Sequence, residues 1–283
     1  MIVSAPASSA NLGPGFDCLG MALDMPFDLA VGEKPADGWL AVEQGHPAAS
    51  AYVAAGGGPD APLWWRSPIP PGRGLGFSGA ARVGGAYLGV RHRGGERSDH
   101  DAAVVAARRI ATELEGHADN AAASALGGIT VAVDDVVVGL VVPEGLDVLV
   151  WWPDAATSTR QSRGALGDTV KLSDAAFSIG RAALWVAALG AGDVAALRTA
   201  CEDRVHQPAR LAARPDVAEA LEVLLGRGEV LAAWLSGSGP TVAALVEATG
   251  QVGGGAVDSL ARGLPAGRTR RLAIARRGVH VIG

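Results

Sequence analysis

A glycine-rich segment at residues 69–85 has the composition of a loop that binds phosphate through its backbone, and it reads IPPGRGLGFSGAARVGG. Gly74, Gly76 and Gly79 follow the spacing G-x-G-x-x-G, and the apolar positions from Ala80 to Leu88 are those of an amphipathic helix. The N–H groups of a first helical turn lie at the positive end of the helix dipole, so they attract phosphate. The segment therefore predicts an anion site, with an ordinary tight turn as the alternative.

Two familiar phosphate motifs fit this segment poorly. A dinucleotide-binding fold needs a buried strand directly before the first glycine, and prolines at positions 68, 70 and 71 lack the N–H groups of such a strand. A Walker A loop needs a lysine, and the two lysines, Lys34 and Lys171, lie outside the glycine loops. A site built from backbone donors remains, and we expect those donors to be the N–H groups of Gly74, Gly76, Phe77 and Ser78.

The composition excludes several other classes of protein. A chain of 283 residues with 49% hydrophobic and 19% charged residues predicts a globular protein of one or two domains. The net charge of -5 and the scattered arginines argue against a nucleic-acid-binding protein. Cys18 and Cys201 form no disulfide framework or zinc pattern. The start lacks a basic signal region and the longest apolar run, Val136–Val142, is too short for a membrane span, so we expect a cytoplasmic protein.

The elements that must position the glycine-rich loop alternate along the chain in a pattern of the α+β class. Strands are predicted at 24–31, 39–42, 136–142, 147–152, 230–234, 241–246 and 271–275. Helices are predicted at 101–114, 121–126, 174–189, 193–205 and 216–225, and 46–63 is predicted as a loop or an ill-defined helix. Strand signals give way to helices near Pro153, which predicts two domains, at residues 1–153 and 154–283.

Two further Gly/Ser-rich loops border strand-like runs, PASSANLGPGFDCLG at Pro6–Gly20 and LSGSGPTVAAL at Leu235–Leu245. With the first loop they form the pattern of the GHMP kinase superfamily. The chain resembles its homoserine kinase family in particular. The segments that carry this resemblance are PASSANLGPGFD, GRGLG with SGAA after Phe77, EGHADN, STRQSR at Ser158–Arg163, CEDRVHQP at Cys201–Pro208, and LSGSGPT.

The resemblance implies ATP-dependent phosphorylation of the side-chain hydroxyl of L-homoserine, a step toward threonine. It also implies a two-domain α+β fold, with an N-terminal domain like domain 2 of ribosomal protein S5 and a ferredoxin-like C-terminal domain. Its partners would be small molecules, with no nucleic acid and no membrane, and a homodimer is left open. ATP would lie on the glycine-rich loop, in contact with Pro70, Pro71, Gly72, Arg73, Gly74, Leu75, Gly76, Phe77, Ser78, Gly79 and Ala80.

The same resemblance assigns side chains to a zwitterionic amino-acid substrate. Arg163 and Arg204 match the arginines that bind its carboxylate, a role that suits the planar two-pronged guanidinium. Asp17 matches the partner of its ammonium group and His117 a further substrate contact; alone, these residues would more commonly be a capping aspartate and a loop histidine. Asn11 is expected to hold the hydroxyl near the γ-phosphate.

Magnesium and the reacting hydroxyl complete the implied site. Glu115 and Ser78 supply the carboxylate and hydroxyl oxygens that Mg²⁺ prefers. Asp119 and Asn120 are candidates for orienting the hydroxyl, because a loose phosphoryl-transfer transition state does not demand a strong base. Phe77 and Gly79 depart from the family pattern G-L-G-S-S-A-A.

Three other functions stay open at this stage. A GHMP kinase of another small amino-alcohol would share most of these residues. A catalytically weak ATP-binding relative is suggested by Phe77, which replaces a hydroxyl that could touch the phosphates. A dinucleotide-dependent oxidoreductase comes last, because only the glycine spacing favours it.

Overall fold

The protein folds around two antiparallel sheets, which a computed structural model describes for residues 1–95, 99–155, 159–248 and 259–283. The larger sheet has the strand order β11-β1-β2-β4-β3, and β5 pairs with both β2 and β6. Its strands are β1 (Ile2–Ala10), β2 (Leu19–Val31), β3 (Leu40–Ala41), β4 (Leu63–Arg66), β5 (Ile129–Val133), β6 (Val136–Leu140) and β11 (His280–Val281). This sheet carries the helices of the first half of the chain.

Small residues let helices approach the middle of this sheet closely. Ala5 and Ala7 of β1 are fully buried, and β1 contacts both α2 (Phe77–Gly94) and α4 (Asp119–Leu126). A Cβ on Gly85 of α2 would lie 2.2 Å from the carbonyl oxygen of Ala48, so α2 also needs glycine where it crosses a neighbouring helix. The other helices of this half are α1 (Pro47–Ala54) and α3 (His100–Glu115). This packing brings the starts of α2 and α4 to one end of β1.

The smaller sheet has the order β10-β7-β9-β8, and its two faces enter different cores. Its strands are β7 (Leu146–Trp152), β8 (Val230–Leu235), β9 (Val242–Glu247) and β10 (Arg268–Ala273). Because side chains alternate along a strand, Val148 and Val150 of β7 join the core shared with the larger sheet, while Leu149 and Trp151 face the opposite way. The helices of this half are α5 (Thr159–Gly164), α6 (Leu172–Ala191), α7 (Leu197–Ala200), α8 (Gln207–Ala212) and α9 (Pro215–Leu225).

Most predicted elements are confirmed, but the helix predicted at 193–205 ends five residues early, at Ala200. The chain forms a 3-10 turn at Val194–Ala196 and the short helix α7, and it leaves helical structure before α8 begins. The cause is Asp203, whose carboxylate accepts hydrogen bonds from the N–H groups of Val205, His206 and Gln207 at 2.8–2.9 Å. Such a carboxylate satisfies the donors at a helix start, so it begins a new helix where the predicted one should continue.

The Ala/Gly-rich segment at 46–63 contains the regular helix α1 and ends at the start of β4. The strands change sheet between β6 and β7, and β11 returns to the larger sheet. The domain boundary near Pro153 stays a prediction.

Helix α6 is the helix among the described residues that is long and apolar enough to cross a membrane. Trp185, Ala188 and Leu189 of this helix are buried in the main core, and Arg181 forms an ion pair with Glu202 at 2.9 Å. These contacts place one face of the helix against the rest of the protein.

Candidate active site

The three Gly/Ser-rich loops meet the starts of α2 and α4 around a cavity of about 210 Å³. This cavity contains most of the side chains predicted from the sequence. Those that line it are Asn11, Asp17, Glu115, His117, Asp119, Asn120 and Arg163, together with Gly72, Arg73, Gly74, Gly76, Phe77, Ser78 and Gly79. Of the predicted nucleotide-binding residues, Pro70, Pro71, Leu75 and Ala80 are not among its lining residues.

The glycine-rich loop is hydrogen-bonded to the other two loops, and its glycines approach them too closely for a side chain to fit. Gly74 and Gly76 have φ angles of 75° and 68°, and a Cβ on Gly76 would lie 2.0 Å from Ser8 Oγ. Ser8 N–H donates to the carbonyl oxygen of Leu75 at 3.2 Å, and Ser236 Oγ donates to that of Gly74 at 2.6 Å. The loop conformation is therefore fixed from both sides, and the start of α2 faces the cavity.

Gly79 lets α2 approach α4, and Leu75 anchors the loop in the core. A Cβ on Gly79 would lie 3.0 Å from the Cβ of Asn120, so glycine lets the first turn of α2 approach α4 closely. Leu75 is buried in the main core and anchors the loop from below, which is why it does not line the cavity. The residue that replaces the family's alanine thus brings two cavity-lining helix starts together.

Phe77 packs into an aromatic cluster beneath the loop. Its ring centroid lies 5.5 Å from that of Trp65, 5.6 Å from that of Phe27 and 5.8 Å from that of His46, in edge-to-face geometry. Edge-to-face pairs of this kind stabilise beyond the area that they bury. The half-buried ring therefore acts as a packing residue that also lines the cavity.

We expect the Phe77→Ser variant to lose about 2 kcal/mol of unfolding free energy, less than a full core truncation because the ring is only partly buried. Its kcat should not rise. Chemical denaturation and steady-state kinetics on the same preparation measure both quantities, with Phe77→Leu as the control that keeps most of the apolar contact. A gain in kcat without loss of stability would contradict the packing interpretation and indicate a phosphate loop that lacks a needed hydroxyl.

Asp17 and Arg163 form a two-pronged ion pair on one wall of the cavity. The guanidinium donates to Oδ2 at 3.0 Å and to Oδ1 at 2.5 Å, and this hydrogen bond raises the pKa of Arg163 although burial opposes the charge. Asn11 lies beside the pair, where its Oδ1 accepts from the N–H of Asp17 at 3.1 Å and its Nδ2 donates to the carbonyl oxygen of Gly237. Asn11 and Asp17 have φ angles of 72° and 59°, a left-handed conformation that is uncommon outside glycine and is found at functional sites.

His117, Asp119 and Asn120 form the wall next to α4. His117 Nδ1 lies 2.8 Å from Asp119 Oδ1, which also accepts the N–H of Asn120 at 2.7 Å. Burial lowers the pKa of His117, but the hydrogen bond and the charge of Asp119, with the charge of Glu115, outweigh it, so the pKa is raised overall. Asn120 Oδ1 accepts from Ser8 Oγ at 2.9 Å. The His117 ring and the buried Asp119 carboxylate are therefore held together beside the cavity.

Candidate ligand atoms of Asp17, His117 and Asp119 all lie within 4.8 Å of one another, so these three residues have the donor types of a metal site. Each of the three residues also has a side-chain partner within the protein. Asp17 pairs with Arg163 and His117 pairs with Asp119. The three residues therefore line the cavity with polar atoms that already contact protein groups.

Ser78 and Glu115 also line the cavity, and the Arg82 guanidinium contacts both. Arg82 Nη1 donates to Ser78 Oγ and to Glu115 Oε1. Two hard oxygen ligands at the edge of the phosphate loop fit Mg²⁺, which takes few ligands from protein and keeps others from phosphate and water. The guanidinium shows that this position attracts a cation.

Arg210 is a cavity residue that sequence reasoning missed. Its side chain is buried, and its Nη1 donates to His206 Nδ1 at 3.0 Å and to the carbonyl oxygen of Gly237 at 3.1 Å. His206 Nε2 lies 2.7 Å from the carbonyl oxygen of Gly13, so that nitrogen carries the proton and Nδ1 accepts from Arg210. Burial lowers the pKa of His206, which favours the neutral ring that this acceptor role requires. The available signal was the spacing of His206 and Arg210, four residues apart on one helix face.

Two family models match segments of this chain. The model described as "GHMP kinases N terminal domain" matches residues 46–128, and the one described as "GHMP kinases C terminal" matches residues 185–253. A homoserine kinase of Thermus thermophilus is 41% identical over 256 residues, which cover 86% of each chain. The homoserine kinase of Moorella thermoacetica is 38% identical over 262 residues, again with 86% of each chain covered.

The chain belongs to the homoserine kinase family of the GHMP kinases. The solved structure of homoserine kinase from Cytophaga hutchinsonii has a TM-score of 0.82 to this GHMP kinase, with 25% identity, 100% of this chain and 97% of that chain covered. The mevalonate kinase of Methanococcus jannaschii shares the fold at a TM-score of 0.66 and 13% identity, with 97% and 98% covered. The predicted family and the predicted α+β GHMP kinase fold are therefore confirmed.

One predicted substrate residue of this GHMP kinase lies away from the cavity. The Arg204 guanidinium rests 3.8 Å from the ring centroid of Phe177 and 3.8 Å from Asp174 Oδ1, both on α6. The turn that the Asp203 carboxylate imposes before α8 directs Arg204 to α6 and Arg210 to the cavity. Ser158 of the STRQSR segment lies outside the described residues, whereas Ser162 in α5 donates to the carbonyl oxygen of Ser238 at 2.8 Å.

Proposed function

We propose that this chain transfers the γ-phosphoryl group of ATP to the side-chain hydroxyl of L-homoserine and forms O-phospho-L-homoserine for threonine biosynthesis. One observation carries the proposal. The cavity joins a backbone phosphate loop to a carboxylate and two guanidinium groups, which are the partners that the two charges of an amino acid require. The homoserine kinase relatives support the same reaction.

ATP would be held mainly by the backbone of the glycine-rich loop. The N–H groups at the start of α2 would receive the phosphates, and because these donors belong to the backbone, Phe77 does not remove them. Ser78 and Glu115 would hold Mg²⁺, which supplies neutralisation of the charge on the phosphates when bound.

The amino acid would be held between Asp17, Arg163 and Arg210. Asp17 would accept the α-ammonium group, while Arg210 and Arg163 would bind the α-carboxylate. Arg210 is suited to this role because its Nε is buried without a hydrogen-bond partner among the described protein atoms, and an unpaired buried donor is costly. The substrate can thus insert into the Asp17–Arg163 pair with each charge matched.

The hydroxyl of the substrate would be positioned by Asn11, Asn120 and Asp119. One oxygen of Asp119 already accepts from His117 and from the N–H of Asn120, so part of the acceptor capacity of this carboxylate is used within the protein. Phosphoryl transfer through a loose transition state depends chiefly on positioning and charge neutralisation. We therefore assign positioning, and no early proton removal, to this wall of the cavity.

The choice among acceptors tests the proposal. The purified chain should release ADP with L-homoserine, and kcat/KM should be lower by at least about a hundredfold with L-threonine or mevalonate, because their methyl branch or missing ammonium fits this cavity poorly. A preference for another amino-alcohol would move the chain to another GHMP kinase activity. ATP binding without turnover of any acceptor would identify a catalytically silent relative.

The proposed function also implies a cell compartment and a set of partners. We propose a soluble cytoplasmic enzyme that acts on small molecules and requires no nucleic acid or membrane. Assembly as a homodimer stays a prediction.

A further inference from the structure

Arg82 is a charged residue beside the phosphate loop to which the family pattern assigns no role. It lies four residues after Ser78 on α2, so both side chains project from the same face of the helix. Its Nη1 donates to Ser78 Oγ and to Glu115 Oε1, the two oxygens assigned to the metal. One guanidinium nitrogen therefore already contacts both predicted metal ligands.

The ion pair between Arg82 and Glu115 is largely shielded from water, which strengthens the attraction between the two charges. The side chains of Arg82 and Glu115 are 21% and 12% exposed. Ion pairs removed from bulk water interact more strongly than exposed ones, because the effective dielectric constant is lower. The other oxygen of Glu115 lies 3.8 Å from His117 Nε2.

A second observation shows that this position of Arg82 is incompletely satisfied. The Arg82 Nε atom is buried and has no hydrogen-bond partner among the described protein atoms. Leaving a buried donor unpaired costs free energy, so the two hydrogen bonds of Nη1 favour a rotamer that the unpaired Nε disfavours. A cation that takes those oxygens would leave the guanidinium free to turn away.

We propose that Arg82 is an internal counter-cation for Glu115 that competes with Mg²⁺ for Ser78 and Glu115. In the protein without nucleotide, the guanidinium neutralises Glu115. When a nucleotide brings Mg²⁺, the metal must displace the guanidinium from these oxygens. Arg82 thereby sets the Mg²⁺ concentration at which the site is loaded, and it acts as a positioning residue. The inference rests on the proposed function for its nucleotide.

The coupling between Mg²⁺ and ADP binding tests this competition without relying on turnover. Isothermal titration calorimetry gives the Kd of ADP in saturating Mg²⁺ and in EDTA. The Kd in EDTA divided by the Kd in Mg²⁺ measures the coupling between the metal and the nucleotide. In Arg82→Gln, which keeps a donor but removes the charge, the ratio should increase at least about tenfold over wild type. Arg82→Lys should stay close to wild type, since it keeps the charge.

Arg109→Gln is the matched control, because it makes the same charge change at an exposed arginine of α3 that pairs with Asp135 at 3.6 Å. Its coupling ratio should equal that of wild type. An unchanged ratio in Arg82→Gln would overturn the proposal. Weaker binding of ADP to Arg82→Gln in saturating Mg²⁺ would also overturn it, because the guanidinium would then be a phosphate ligand.

A measurement on the wild-type protein covers the case in which Arg82→Gln does not fold. Crystals grown with ADP and Mn²⁺ should show anomalous density beside Glu115 and an Arg82 guanidinium that no longer contacts this carboxylate. Metal bound at Glu115 with the Arg82 contact retained would overturn the proposal. Homoserine-dependent ADP release by wild type is measured separately, so a failed reaction assignment and a failed competition give different results.

Discussion

The Glu115→Ala variant is expected to lose about a thousandfold in kcat while its Kd for ATP rises by less than about tenfold. Glu115 lines the cavity next to Ser78, and the carboxylate is the charged oxygen ligand that we assign to Mg²⁺. Losing that ligand mainly removes neutralisation of the charge that spreads over the transferring phosphoryl group. The backbone donors of the phosphate loop remain, so ground-state binding of the nucleotide should be affected much less.

Glu113→Ala is the matched control for this prediction, because Glu113 is an exposed acidic residue in the same last turn of α3. It should leave kcat within about twofold of wild type, as expected of a surface substitution. Rapid-quench measurement of ADP formation separates the chemical step from product release. Near-normal turnover in Glu115→Ala would show that the metal is held elsewhere, and the group formed by Asp17, His117 and Asp119 would be the next site to examine.

The Arg210→Lys variant is expected to raise the KM for homoserine by about 10- to 150-fold, the equivalent of one lost charge-assisted hydrogen bond. Lysine keeps the charge but loses the planar fork that a carboxylate matches with two parallel bonds. The KM for ATP should change little, because Arg210 lies on the wall formed by α8 and the third loop. Since Arg210 also donates to His206, thermal melting must accompany the kinetics.

Arg204→Lys makes the same chemical change six residues earlier and provides the control. Arg204 rests on Phe177 and lies outside the cavity lining, so its KM for homoserine should stay within about twofold of wild type. A large effect at Arg204 with none at Arg210 would contradict the arrangement of this wall. A change in the KM for ATP alone in Arg210→Lys would contradict the assignment of α8 to amino-acid recognition.

The parts of the site that could be predicted from sequence have local causes. Gly74 and Gly76 indicate a tight loop, because only glycine readily adopts their left-handed φ angles. The helix after them is predicted by the period of its apolar residues. Asp17, His117 and Arg163 belong to segments whose resemblance to the family is continuous along the chain. Each of these signals lies within a few consecutive residues, so the fold and most of the cavity residues could be predicted from the sequence.

The parts that could not be predicted depend on contacts distant in sequence or on a helix boundary. Strand β1 is rich in alanine and serine, and its identity as a strand comes from burial between β11 and β2. The choice between Arg204 and Arg210 depends on where α8 begins, which the Asp203 carboxylate decides. The contact of Arg82 with Glu115 joins α2 to α3 across 33 positions, and no local pattern indicates it.

The central claim is that one cavity holds the phosphates of ATP beside an amino acid whose two charges meet Asp17, Arg163 and Arg210. Phosphorus NMR of a reaction containing the purified chain, Mg²⁺, ATP and L-homoserine tests it most directly, because it identifies both products. We expect ADP and a phosphomonoester on the homoserine side-chain oxygen to form in equal amounts, and neither to form when homoserine or Mg²⁺ is omitted. ADP formation with inorganic phosphate alone, or no ADP with homoserine present, would contradict the account.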